Sequence, residues 1–405
     1  MNRTLFRLAA LCALLAPGSA AFAGVLTGNC RVADQPAATL LYPYFEADLE
    51  HADGPTTLIS INNASARPAV ARVVLWTDWG APTLAFDVYL TGYDVQSLNV
   101  RDVMRGELPG TGPGVSPNGP LSDAASVFPG CDAAAKQSVT AIDRDTLQAA
   151  HTGRPLPGMS PAQCLGSGSR GAQIATGYIT VDVVNRCSAT SVNKLQNTPA
   201  DPAYFAAGGT GLASDNNVLW GEYFYVNPSK NSSDSQTAVH IVADPDVFSA
   251  GDYTFYGRYV GFDARDDRAP LSSLYYVRYL NGAAFSGGTD LVVWRDNRSP
   301  VTSARSCGTA PTWAPLGEFQ LVAFDEDENP TEIPHSQAFP LAVQKVHVGG
   351  PSLSLGDNFG WLMIDLWHAD STHAQGWVGV IMSAQGRYSV SHQAIRADDL
   401  CNFGL

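Results

Sequence analysis

Between residues 56 and 100, runs of β-branched, aliphatic and aromatic residues (56–61, 69–76, 84–90 and 95–100) recur about every ten positions. Asn-, Pro- and Gly-bearing segments such as 62–68 and 80–82 separate them. Runs this short cannot bury themselves. They must pair into antiparallel sheets and stack one sheet on another, which predicts a sandwich of immunoglobulin-like type. Alternation of polar and apolar residues is incomplete in 71–76 and 85–90, so some of these strands are expected to be buried on both faces. With 38 Gly, 26 Pro and only 15% charged residues, turns and strands are favoured over helices elsewhere too.

A second strand-rich, aromatic stretch covers 220–226, 238–242, 253–260, 275–280, 291–294, 319–324, 360–366, 377–382 and 388–394. The Gly/Pro-rich residues 104–170 interrupt the rhythm, and hold one short helix that Asp143 or Asp145 is expected to cap and Gly153 to end. The expected architecture is all-β, with two immunoglobulin-like sandwich regions: 24–217 carrying the insertion, and 218–405.

Residues 1–23 have the form of an export signal. Arg3 and Arg7 precede an apolar run too short to span a bilayer, and Ala21 and Ala23 suit signal peptidase. The mature protein is therefore expected to be periplasmic or secreted, in an oxidising compartment. Cys12 falls inside the leader, which leaves Cys30, Cys131, Cys164, Cys187, Cys307 and Cys401 for three disulfides. Local topology favours Cys131 with Cys164, then Cys187 with Cys307 and Cys30 with Cys401. No later run is long and apolar enough for a transmembrane helix in the mature chain.

Asp and Glu number 38 against 24 Lys and Arg, a net charge of −14. Such a surface repels phosphate, which argues against nucleic acid and anionic membranes as partners.

Three strand exits share one wording. Val73-Val74-Leu75-Trp76-Thr77-Asp78 leads to Pro82, Leu291-Val292-Val293-Trp294-Arg295-Asp296 to Pro300, and Leu321-Val322-Ala323-Phe324-Asp325-Glu326 to Pro330. Together with Phe359-Gly360-Trp361, they resemble the strand endings of uncharacterised exported bacterial β-rich proteins with no assigned activity. The resemblance extends over most of the mature chain. It implies β architecture and carries over no catalytic residue.

Several clusters are candidates for chemistry. Asp325, Asp327 and Asn329 occupy the first, third and fifth positions of a Ca²⁺ loop, but Pro330 and Ser336 stand where that loop needs Gly and a bidentate Glu. His368, Asp370 and His373 offer three metal ligands within six residues, at a spacing that matches no standard zinc site. Glu222, Asp263, Asp266 and Asp267 lie near aromatic strands, as in glycan hydrolysis by paired carboxylates. Gly166-Ser167-Gly168 lacks the register of a nucleophile elbow.

Strand alternation sends Tyr253, Phe255 and Tyr259 to one face and Tyr256 to the other, a candidate binding surface. The expected function is that of a noncatalytic binding or structural module of the cell envelope or extracellular space, without a cofactor, contacting protein or carbohydrate. The alternative is a secreted hydrolase, carboxylate- or metal-dependent.

Overall fold

The computed structural model describes residues 35–109, 137–205, 211–244, 253–256, 266–282, 286–296, 301–311, 315–334, 339–367, 374–384 and 388–397. Residues 1–34, among them Cys30, and Cys131 and Cys401 lie outside the described residues.

The chain is mostly β and its sheets are antiparallel. A six-stranded sheet holds β1 (Thr39–Asp48), β3 (Ala69–Thr77), β4 (Pro82–Leu90), β7 (Ile174–Val184), β8 (Ser191–Val192) and β11 (Val239–Ile241), in the order β11-β1-β7-β3-β4-β8. Pro43 cannot donate to the ladder, and it sits in β1 where the register with β7 shifts between Tyr42 and Phe45. Facing this sheet is a four-stranded one, β10-β9-β2-β5, from β2 (Thr56–Asn63), β5 (Val95–Asn99), β9 (Leu219–Asn227) and β10 (Ser232–Thr237). Tyr42 meets Tyr223 edge-on across the gap, and Ile59 and Ile61 fill the same core.

A second pair of sheets follows. One is β17-β13-β19-β20, from β13 (Gly288–Arg295), β17 (Val343–His347), β19 (Gly376–Ala384) and β20 (Tyr388–Gln393). The other is β16-β15-β18-β12-β21, from β12 (Leu274–Leu280), β15 (Leu321–Phe324), β16 (Pro330–Glu332), β18 (Phe359–Asp365) and β21 (Ile395–Ala397). Along β13, Leu291 and Val293 point into the core that these two sheets share, while Val292 and Trp294 join the core of the first pair. Every residue of β3 and β4 is buried. Sheets sandwiched on both sides need apolar residues at successive positions, which accounts for the broken alternation in the sequence.

The outer side of the six-stranded sheet carries a buried ionic row. Thr39, Asp182, Arg72 and Asp87 are register partners across β1, β7, β3 and β4. Arg72 reaches Asp87 at 2.9 Å. Arg268 lies 3.5 Å from each of Asp182, Asp215 and Asp266 and donates to the carbonyl of Ser214 at 3.0 Å. Tyr204 donates to Asp182 at 3.0 Å. Burial raises the Asp182 carboxyl and Arg268 pulls it back; burial alone lowers the Arg268 guanidinium, but Asp182 and Asp266 hold it above its ordinary value.

Several expectations are corrected. The boundary at Asn217 separates no hydrogen-bonded units, because β9 pairs with β2 and β11 pairs with β1. Cys164 is bonded to Cys307, not to Cys131: β6 (Gln163–Cys164) pairs with β14 (Arg305–Ser306), bringing the two Cα atoms to 4.9 Å. Cys187 is disulfide-bonded as well, so the expected Cys187–Cys307 bridge does not form.

Helix α1 (Val100–Met104) follows β5 directly, and α2 (Ala141–Thr152) lies within the insertion. The cap of α2 is Thr140, with Asp143 donating its backbone N–H to the Thr140 hydroxyl and accepting from it. Gly153 ends the helix at φ 64°, a left-handed conformation that glycine adopts without a Cβ penalty. Tyr253 to Tyr256 lie in no strand; the backbone N–H of Phe255 instead bonds Arg268 and that of Tyr256 bonds the Asp266 carboxylate.

Two outcomes test this arrangement. Arg268→Met strands the Asp182 and Asp266 carboxylates in the interior and is expected to lower stability by about 3 to 5 kcal/mol in urea denaturation. Proteolysis without reductant is expected to yield one peptide pair joined through Cys164 and Cys307.

Candidate functional site

The clusters singled out in the sequence scatter in space. His368, Asp370 and His373 lie outside the described residues, as do Asp263 and Tyr259. Asp325, Asp327 and Asn329 form the turn between β15 and β16. There the Asp325 carboxylate accepts from the Asn329 side-chain amide at 2.8 Å and from the backbone N–H groups of Asn329 and Asp327. Bonds from Asn329 are the main cause that lowers its pKa. Among the described residues no three His, Cys, Asp or Glu side chains are grouped to hold a metal.

Phe255 and Tyr256 are buried, so this part of the expected aromatic surface faces inward. The Phe255 ring stacks on Trp294, and Tyr253, half-buried, donates to Asp296. The described candidate acids lie on different parts of the fold. Asp266 and Asp267 are buried near Arg268, Asp365 ends β18 in the second pair of sheets, and Glu222 lies on β9.

Asp78, Asp266 and His151 are among the buried groups with shifted pKa values, and each is engaged by its own scaffold. The Asp78 carboxylate accepts from the backbone N–H and the hydroxyl of Ser167; burial raises its pKa to about 6. Burial likewise raises Asp266 to about 6, against the pull of Arg268. His151 on α2 faces the Thr176 carbonyl through Nδ1 at 2.8 Å and the Thr83 hydroxyl through Nε2 at 2.6 Å. The carbonyl requires a proton on Nδ1, and the Thr83 hydroxyl also donates to the Leu75 carbonyl at 3.1 Å. Burial lowers this imidazole to about 4.

What the fold does present is the outward side of β10-β9-β2-β5. Register places Thr237, Glu222, Ser60 and Ser97 in one row across the four strands, Ser235, Phe224, Leu58 and Asn99 in the next, and Trp220, Asn62 and Val95 at one end. Trp220 is 41% exposed, Leu58 37% and Val95 56%. Glu222 is the only ionisable group in these rows. Beneath the indole is a hollow of about 320 Å³, walled by Pro36, Trp220, Gly221, Glu222, Thr237 and His240.

Local geometry builds this hollow. The chain leaves β10 in one sheet and enters β11 in the other after only Ala238, whose N–H bonds the Gly221 carbonyl. His240 is fixed at the corner, with Nδ1 at 3.1 Å from the Gln35 carbonyl and Nε2 accepting the Gly221 N–H at 3.3 Å. Gly221 permits close approach: a Cβ there would collide with the Tyr42 hydroxyl and the Ser60 carbonyl. The sequence does hold a signal for this site, the alternation of Trp220, Glu222 and Phe224 with Gly221, Tyr223 and Tyr225. Reading it required knowing which side of β9 faces the core.

No family model matches the chain, and no curated protein and no solved structure matches it either. The face combines hydroxyls and amides with one exposed indole, the aliphatic Leu58 and Val95, and one carboxylate.

The buried groups make a prediction about pH. His151 has a folded pKa below its ordinary 6.5, so its contribution to stability is complete above pH 6.5 and is lost as pH falls through about 4. Asp78 and Asp266 run the other way, contributing below 3.8 and losing that contribution as pH rises through about 6. The stability difference between wild type and His151→Gln in urea is expected to shrink, by on the order of 3 kcal/mol, between pH 7 and pH 4. For Asp78→Asn the difference is expected to grow over the same interval.

Proposed function

We propose that this is an exported, noncatalytic carbohydrate-binding protein of the cell envelope or extracellular space, and that the outward face of β10-β9-β2-β5 is its binding surface. One observation carries the reading: the exposed Trp220 indole borders a hollow together with Glu222, Thr237 and His240, on a face where Ser60, Ser97, Ser235 and Asn99 alternate with Leu58, Phe224 and Val95.

A pyranose ring has an apolar C–H side and a rim of hydroxyls. An indole supplies a flat apolar partner for the first, while Ser, Thr, Asn and Glu supply donors and acceptors for the second. A protein partner is less well matched. Stable protein interfaces centre on a contiguous apolar core, whereas the Leu58–Phe224 pair is separated here from Trp220 by Ser60 and Glu222. Glycan cleavage needs two carboxylates about 5 to 10 Å apart, and Glu222 has no second acid in the rows around it. Export is supported by the form of residues 1–23, and it suits a chain cross-linked through Cys164 and Cys307.

Titration calorimetry against oligosaccharides retained on a glycan array tests the proposal. Trp220→Ala is expected to weaken binding at least tenfold, about 1.4 kcal/mol, without changing the melting temperature. Unchanged affinity in that variant, or a blank array with the wild-type protein, would refute it.

A further inference from the structure

Next to the Trp220 hollow a second cleft of about 320 Å³ opens between the edge strands β10 and β20. Thr237 and His240 line both, so the two adjoin at the corner between the first pair of sheets and the second. The edges are held together by the Ser391 hydroxyl, which donates to the Ser235 carbonyl at 3.0 Å.

The two parts differ in charge. The hollow has Glu222; among the described residues the cleft is lined by no acid and by one full cation, Arg396, with His392 beside it. In a chain of net charge −14 this is an uncommon local balance. Arg396 is half-buried and makes no ion pair with any carboxylate among the described residues.

A second donor accompanies it. Gln236 lines the cleft and is only 8% exposed. Its Oε1 accepts from the Tyr223 hydroxyl at 3.0 Å, while Nε2 is buried and has no partner among the described residues. A buried amide N–H left without an acceptor costs about 1 to 3 kcal/mol, which an arriving acceptor recovers. A guanidinium and a spare amide donor in one cleft complement a carboxylate, whose oxygens accept and whose charge opposes that of Arg396.

Resting on the carbohydrate reading above, we infer that the ligand is an acidic glycan, in which one sugar stacks on Trp220 and the carboxylate of a neighbouring hexuronic acid enters the cleft between β10 and β20. Charge then selects among glycans that the neutral face alone would accept.

The test uses the full-length protein with three uronate oligomers, of galacturonic, mannuronic and glucuronic acid. Each is compared with its own methyl ester, which keeps the ring and removes the charge, and chondroitin sulfate and cellulose oligomers complete the set. For at least one uronate the free acid is expected to bind at least tenfold tighter than its ester, with the preference falling as salt rises. Arg396→Gln is expected to erase the preference while leaving ester binding and melting temperature unchanged; Arg396→Lys retains part of it; Trp220→Ala weakens acid and ester alike.

Equal affinity for acid and ester, or a preference that survives Arg396→Gln, overturns the inference. So does binding that follows sulfate rather than carboxylate. Binding of neutral oligomers with no gain from charge defeats the inference and leaves the carbohydrate reading standing. Failure of every glycan defeats both.

Discussion

The buried pairing of Arg268 with Asp182 is the contact on which the rest of the structure depends. Neither charge is tolerable in the interior alone, and each is held by the other together with the hydroxyls of Thr39 and Tyr204, the carboxylate of Asp266 and the carbonyl of Ser214. These groups come from β1, β7, the segments around residues 204 and 214, and the stretch just before β12. Satisfying Arg268 therefore requires all of them to be in place. Arg72 and Asp87 extend the same row across β3 and β4, so the central sheet has a fixed register at its most buried point.

That constraint decides which surfaces remain free. With Arg268, Phe255, Tyr256 and Trp294 packed on its outer side, the six-stranded sheet is covered on both faces. The seam toward the second pair of sheets is closed at its rim by charges. Glu46 lies 3.6 Å from Arg170 and 4.0 Å from Lys345, and Asp290 lies 3.7 Å from Lys345 and 2.8 Å from His347. Such partly exposed pairs contribute little energy individually, but they keep the seam polar. The outward side of β10-β9-β2-β5 is left as a broad sheet face open to solvent, bordered by the cleft beside β20.

Strand positions were legible because they depend on local composition and turn chemistry. Residues 56–61, 69–76, 84–90 and 95–100 form β2 to β5 to within a few positions, and the helix closed by Gly153 was visible from its stop signal. Its start was placed too late, since Asp143 serves at the third position of a box whose cap is Thr140. The 253–260 run looked like a strand by its aromatics, but Phe255 and Tyr256 were claimed by Arg268, Asp266 and Trp294. Trp76 and Trp294, noticed as repeated strand endings, both turn out to meet Tyr178 from opposite strands of the interior.

The sequence by itself determined the β class, the sites of most strands and turns, the acidic balance and the form of an export signal, because each follows from residues close together in the chain. Only the tertiary structure decided that Cys164 meets Cys307, that β9 and β11 return to the first pair of sheets across Asn217, and that Trp220 rather than Phe255 faces solvent. Those outcomes depend on pairing between segments far apart in the chain, as with Thr39 and Arg268, 229 residues apart. Such pairing is chosen by which buried charges, rings and edges can satisfy one another at the same time, and no local pattern records that choice.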